Sequence, residues 1–372
     1  MTTLSRAWAR VRPHLLAALP AWLTVRVLVA VAWVLVRVMA DEFGQPHPRE
    51  LDEGLLAWDG NFYRDIAQDG YGALPEEALR FFPLFPLLGR IVSFVTLGKV
   101  SVGLVLVANV LALAAGALVH RLVMHEKHDR DLARRAVWAA ALFPGAFVMA
   151  WAYSEPLMIA ASVAALLALR EKRWGWAAVA GAVAALARPL GLLLVVPALV
   201  EVWPGLRAAS NRERLRRLGA VLGPPLGLSL YLLWSGVRYG DAMAPFSVQS
   251  QFRGDGVDPV SRLWDGFGEL FGAEAMGDGL HIPFALGFVF LVIVVFRHWP
   301  LSFALYSAAI LVVALAAENL NSLERYGLNA VPLALALASL TRAPWAERAM
   351  IAVGSAGIVA LAALAWTGAY VP

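Results

Sequence analysis

The strongest constraint on this chain is a recurrence. Apolar stretches of about 17–25 residues return along its whole length, separated by short charged segments. A helix of that length crosses a hydrocarbon core of about 30 Å. Inside hydrocarbon the backbone must satisfy its own N–H and C=O groups, so such runs fold as helices. The chain has 372 residues, 60% hydrophobic and 16% charged, with a mean hydropathy of +0.66. Soluble domains average about half apolar and about a quarter charged. The reading is an all-α polytopic membrane protein, one integrated bundle over 1–372. The chain has no cysteine, which excludes disulfides, thiolate metal sites and cysteine nucleophiles. Its net charge of +4 is no nucleic-acid signal, because the basic residues lie in segments flanking the apolar runs.

About eleven crossings are expected, near 14–39, 99–123, 136–153, 156–170, 174–187, 190–203, 218–236, 281–297, 300–317, 326–340 and 349–369. Lys and Arg gather in 1–13, 125–135, 170–173 and 204–217. The excess of basic residues on cytoplasmic loops then puts the N-terminus in the cytoplasm, with the first helix an uncleaved anchor. Two long loops fall outside, 40–98 and 237–280. The first ends in an apolar stretch, 81–96, that is short and interrupted by Pro83, Pro86, Gly89 and Arg90. Counting it as a crossing would put the basic 125–135 segment outside, so it reads as re-entrant or interfacial. Arg26 lies deep in the first helix, where a charge marks either function or a structural ion pair. The fourteen tryptophans mostly flank helices, as interfacial belts do.

Residues 58–86, WDGNFYRDIAQDGYGALPEEALRFFPLFP, depart from this apolar background. Asp59, Arg64, Asp65, Asp69, Glu76, Glu77 and Arg80 are interleaved with Trp58, Phe62, Tyr63 and Tyr71. The topology brings four other polar outer segments to the same membrane face. They carry Tyr153 and Glu155; Arg188; Gln249, Gln251 and Arg253; and Glu324, Arg325 and Tyr326. A carboxylate among arginines at the rim of a helical bundle suits glycosyl transfer from a lipid phosphate. A base takes the proton of an acceptor hydroxyl, the hydroxyl attacks the anomeric carbon, and guanidinium groups stabilise the charge growing on the departing phosphate.

The ordered set WDGNFYRDIAQDGY, RFFPLFPLLGR, AYSEPL, ALARPLGLL, RYGDAMAPFSVQSQF and SLERYGLNAVPL resembles the PIG-V-like family, the GPI mannosyltransferase II enzymes and their bacterial relatives. The resemblance covers most of the chain in the family's order. It implies a GT-C-type helical bundle and an inverting glycosyltransferase working on the extracytoplasmic face of the cell membrane. The donor would be polyprenyl-phosphate mannose, used as substrate, with no separate cofactor and no metal. The composition is that of a bacterial member, so the acceptor is expected to be another glycolipid or a protein rather than a GPI precursor. Asp59 matches the catalytic-base position. Arg188 and Arg325 match positions for the donor phosphate, Arg80 at the membrane edge is expected to join them, and Trp58, Tyr63, Arg64, Tyr153, Glu155, Gln249 and Tyr326 are the expected substrate contacts.

Each of these residues has a plainer reading. Asp59 could cap the helix that starts beside it. Glu155, before Pro156, could offset a helix dipole. Arg188 could pair with Glu155 or Glu318, and Arg80 could anchor to lipid headgroups. Arg325 heads a helix N-terminus, where a cation is unfavourable unless an anion is near. The competing function is a transporter or flippase for an anionic or lipid-linked solute, which would need polar groups at mid-depth on several helices.

Overall fold

The structure, a computed structural model, describes residues 3–43, 47–254, 256–272 and 277–372, with side chains from residue 8 onward. Parts of both expected outer loops, at 44–46, 255 and 273–276, lie outside the described residues. The chain runs through α1 (Thr3–Glu42), α2 (Arg49–Glu53), α3 (Asp59–Asp69), α4 (Leu84–Ser93), α5 (Val100–Lys127) and α6 (Arg130–Ala141). It continues with α7 (Glu155–Arg170), α8 (Trp174–Ala187), α9 (Val195–Val202), α10 (Asn211–Tyr239), α11 (Ala244–Arg253) and α12 (Pro259–Glu269). The last five are α13 (Ile282–His298), α14 (Leu301–Leu315), α15 (Leu323–Asn329), α16 (Pro332–Leu340) and α17 (Pro344–Trp366). Among the described residues there is no strand, only one isolated bridge between Gly256 and Ala317. The protein is all-α, as the apolar periodicity requires.

Among the described residues five helical spans, α1, α5, α10, α13 with the preceding turn from Asp278, and α17, are long and apolar enough to cross a membrane. The segments of the other expected crossings hold shorter helices. α8 has 14 residues and α14 has 15, about 21–23 Å at 1.5 Å per residue. α4, with ten residues, reaches about 15 Å. The helix expected over 136–153 ends at Ala141. Pro144 follows, and Gly145 takes a positive φ of 77°, which breaks the helix. The helix expected over 326–340 is two, α15 and α16, divided at Pro332, which has no N–H to donate.

That early break accounts for Arg26. Its guanidinium donates to the Met149 carbonyl at 2.7 Å, to Asn109 Oδ1 at 2.8 Å and to the Trp22 carbonyl at 3.2 Å. Asn109 in turn donates to the Ala150 carbonyl at 3.1 Å. Among the described residues Arg26 makes no ion pair, so the expected structural pairing with a carboxylate is not what holds it. It satisfies backbone carbonyls that the non-helical 142–154 segment leaves open inside an apolar bundle, where an unmet carbonyl is costly.

Small residues set the helix spacing. α1 presents Ala18, Ala21, Val25, Val29, Ala32 and Val36, at three- and four-residue intervals, to α5, α6 and α17. α8 and α10 approach so closely that a Cβ on Gly223 or Gly227 would lie 2.3 Å from the carbonyl oxygen of Ala178 or Ala182. The core between them holds the loop ends, and at one end of the bundle these ends surround a polar cavity.

Candidate active site

Two short helices bring the principal charges together, and both begin under strain. Trp58 precedes α3 with φ 58°, and Ser322 precedes α15 with φ 65°. Neither is glycine, so each costs on the order of 1–3 kcal/mol and is held by its surroundings. Trp58 Nε1 donates to the Ala365 carbonyl at 2.9 Å. Ser322 Oγ donates to the Pro372 carbonyl at 2.7 Å and accepts from Arg325 Nη2 at 2.9 Å. These anchors tie the start of α3 to the last turn of α17 and the start of α15 to the segment that follows α17.

Asp59 is the first residue of α3 and does not cap it. Its Oδ2 accepts from Arg325 Nη1 at 2.7 Å. Arg325 Nη1 is also 3.2 Å from Glu155 Oε1, and that oxygen accepts from Arg188 Nη1 at 2.5 Å. The dipole-offsetting reading of Glu155 therefore gives way to ion pairing, since the carboxylate is fully buried between two guanidinium groups. Pro189 explains the position of Arg188. It disfavours helix at the preceding residue, so α8 stops, Arg188 turns extended at φ −156°, and its side chain enters the bundle. Arg188 Nη1 also reaches Ser154 Oγ at 3.3 Å, and Ser154 Oγ is 2.7 Å from Tyr63 Oη. Tyr153, fully buried, accepts from the Asp59 backbone N–H at 3.3 Å.

Two further arginines complete the ring. Arg80 lies over Phe62, Phe81 and Phe252, 5.6, 4.7 and 4.1 Å from the ring centres. Arg253 lies 4.5 Å from the Tyr326 ring centre and donates to the Ala314 carbonyl at 3.0 Å. Burial alone raises the Asp59 carboxyl, but Arg325, Arg80 and Arg188 outweigh it and hold the group below the usual carboxylate range. Burial lowers Arg325, and Asp59 and Glu155 more than reverse that, so its guanidinium stays charged.

A cavity of about 320 Å³ opens onto this ring. Trp58, Asp59, Tyr63, Arg80, Arg188, Gln249, Arg253, Arg325 and Tyr326 all line it, with Asn319, Asn321 and Pro372. Tyr153 and Glu155 stand behind this lining, touching Asp59 and the two arginines. Arg64 does not join them. It follows Asp59 by five residues, about 140° round the helix, and pairs with Asp65 at 2.8 Å. That removes the geometric ground for Arg64 as a substrate contact. The sequence reading groups Arg253 with the outer polar residues but gives it no role, because a cation at a loop-helix boundary is too common a signal. Glu324 faces away from the cavity, held by His281 Nδ1 at 2.9 Å and the Tyr370 hydroxyl at 2.7 Å.

Fold and site together describe an all-helical protein with helices long and apolar enough to cross a membrane and, at one end of the bundle, a carboxylate among arginines facing a cavity. The family model described as Mannosyltransferase (PIG-V) matches residues 35–200, and the chain is PIG-V-like over that stretch. The matched segment contains Asp59, Arg80, Tyr153, Glu155 and Arg188 and stops short of Gln249, Arg253 and Arg325. Among curated proteins none matches. Two solved structures from Archaeoglobus fulgidus are similar. One is the crystal structure of its oligosaccharyltransferase in complex with Zn and sulfate, with 14% identity and a TM-score of 0.44, covering 79% of this chain and 45% of that one. The other is its oligosaccharyltransferase AglB in complex with an inhibitory peptide and a dolichol-phosphate, with 12% identity and a TM-score of 0.49, covering 100% of this chain and 57% of that one. The chain thus spans about half the length of these two structures.

Proposed function

We propose that the arginine-lined cavity is the active site of an inverting glycosyltransferase. It would move mannose from polyprenyl-phosphate mannose to a hydroxyl of a glycolipid or protein acceptor on the extracytoplasmic face. The observation that carries the reading is one ionised carboxylate, Asp59, opening onto a cavity whose other charged lining groups are four guanidiniums. In the reaction, Asp59 takes the proton of the acceptor hydroxyl. The hydroxyl oxygen bonds to the anomeric carbon, and the bond from that carbon to the phosphate oxygen breaks. The electron pair leaves with the polyprenyl phosphate, whose added negative charge the arginines stabilise. Attack opposite the leaving group inverts the anomeric centre.

The depressed pKa of Asp59 fits this sequence. With guanidiniums around it and no phosphate present, the carboxylate is ionised but a weak base. A bound phosphate adds negative charge facing Asp59 and draws on Arg80, one of the guanidiniums that depress it, so the basicity of Asp59 rises when the donor is in place. The transporter reading needs polar groups at mid-depth, and the deep polar pair, Arg26 with Asn109, is spent on backbone carbonyls.

The test is Asp59→Asn, assayed with radiolabelled polyprenyl-phosphate mannose and membrane acceptor. The amide oxygen can still accept from Arg325, so folding and donor binding should persist. Turnover should fall by at least about 10²-fold, the general-base contribution. Full activity in this variant removes Asp59 from the mechanism.

A further inference from the structure

We propose that the four cavity arginines divide into two pairs with different tasks. Arg80 and Arg253 bind the substrate's phosphate, whereas Arg188 and Arg325 position Asp59. This rests on the glycosyl-transfer reading above and sharpens it, since the chain otherwise offers four guanidiniums without distinguishing them.

The division follows from counting charges that already have partners. Arg188, Arg325, Glu155 and Asp59 form a closed group of two cations and two anions, linked at 2.5, 3.2 and 2.7 Å. Its net charge is zero. To turn Arg188 or Arg325 toward a phosphate, the protein would have to strip a fully buried Glu155 of its counter-charge, and an uncompensated buried charge is strongly destabilising. Arg80 and Arg253 stand differently. Among the described residues no carboxylate lies within ion-pair distance of either one. All four arginines line the cavity and all four have a buried Nε without a hydrogen-bond partner, so the missing counter-charge is what sets Arg80 and Arg253 apart. They are nonetheless held firmly, Arg80 among three aromatic rings and Arg253 against Tyr326. The pairs of contacts interlock, because Phe252, which stacks on Arg80, is the neighbour of Arg253 in α11.

Stacked guanidiniums have lost their rotamer freedom before any ligand arrives, so binding need not cost that entropy again. The planar fork of each matches two phosphate oxygens. Two preordered forks, without a carboxylate partner among the described residues, on one wall of a cavity suit a phosphoryl group. Asp59 faces the same cavity from the neutral cluster, where its orientation is fixed by Arg325 and its backbone N–H by Tyr153. The ligand chemistry is therefore a phosphate ester head, and the two sources to separate are a lipid phosphate and free inorganic phosphate.

The experiment is equilibrium binding of radiolabelled polyprenyl phosphate to the full chain in nanodiscs, competed by the matching polyprenol or by inorganic phosphate. Wild type should prefer the phosphate over the polyprenol. Arg80→Gln and Arg253→Gln should each weaken phosphate binding by at least about tenfold, the loss of a charge-assisted contact, and leave polyprenol binding unchanged. Arg188→Gln combined with Glu155→Gln, which removes one charge of each sign and avoids an unpaired buried acid, should keep wild-type phosphate affinity while turnover falls. Weaker phosphate binding in that double variant than in Arg80→Gln and Arg253→Gln overturns the division alone. A wild type that binds polyprenol as well as polyprenyl phosphate overturns the glycosyl-transfer reading with it. Displacement by inorganic phosphate as effective as by the lipid phosphate overturns the lipid source of the head group.

Discussion

Asp59 shows how far one residue's chemistry depends on its neighbours. Burial is the largest influence on its carboxyl and pushes the pKa up, yet three guanidiniums pull it below the usual range. A group whose folded pKa is depressed stays ionised down to that lower pKa. Its contribution to stability is present above the unfolded value of about 3.9 and is lost as pH falls through the folded value. The acid limb of a kcat/KM profile, which reports the free enzyme, should therefore lie below the ordinary carboxylate range. Arg325→Gln removes the strongest of the opposing charges and leaves burial less opposed. In that variant the acid limb should move to higher pH, and an unmoved limb would mean that another group controls it. Asp59, Arg80 and Arg188 stand out in the sequence because charge is rare in this chain and each sits at a helix boundary. The pairing of Arg188 with Glu155 was one of two open readings there, and only distance decides it. Arg64 misled because adjacency in sequence says nothing about the face of a helix.

At the scale of elements, the site depends on helices that stop early. α8 ends at Arg188, and its path is set by contact with α10 through glycines four residues apart, Gly223 and Gly227. This small-residue spacing lets backbones approach where no water-driven force pushes helices together. Gly227→Val should push α10 off α8 and cost about 1–3 kcal/mol by overpacking. It should lower activity as well, because α8, which loses its packing against α10, leads directly into Arg188. Gly219→Val on the same helix is the control, since nothing lies within 4 Å of a Cβ there. Thermal unfolding in detergent separates the two, and equal losses would show that the seam does not matter. The sequence marks most of these elements through apolar runs and Pro or Gly stops. It does not show where α6 ends. Pro144 and Gly145 sit inside an apolar run, and an unbroken hydropathy signal hid a break that Arg26 and Asn109 repair from other helices.

Across the whole molecule, the Asp59–Arg325 contact joins residues 266 positions apart, and no local pattern in the sequence encodes such a pair. What made it foreseeable was topology: alternating basic loops put five polar segments on one face, and the cavity is lined by residues from four of them, with Tyr153 and Glu155 of the fifth just behind the lining. The sidedness of that face is the remaining expectation, and the chain itself offers the means to test it. It contains no cysteine, so any single introduced thiol reports alone. Ala73, in the segment after α3, and Ala208, before α10, are both exposed, and a change from Ala to Cys adds only a sulfur at either. Positive charge on short loops favours the cytoplasm. The arginine-rich segment around Ala208 should therefore be shielded in intact cells, and Ala73→Cys should be open to a membrane-impermeant maleimide. Ala208→Cys should label only after the membrane is permeabilised. The reverse pattern would turn the cavity toward the cytoplasm, where the acceptor and donor would have to be sought among cytoplasmic-leaflet lipids, and the extracytoplasmic reading of the reaction would fall while the arrangement of Asp59 and its arginines stood.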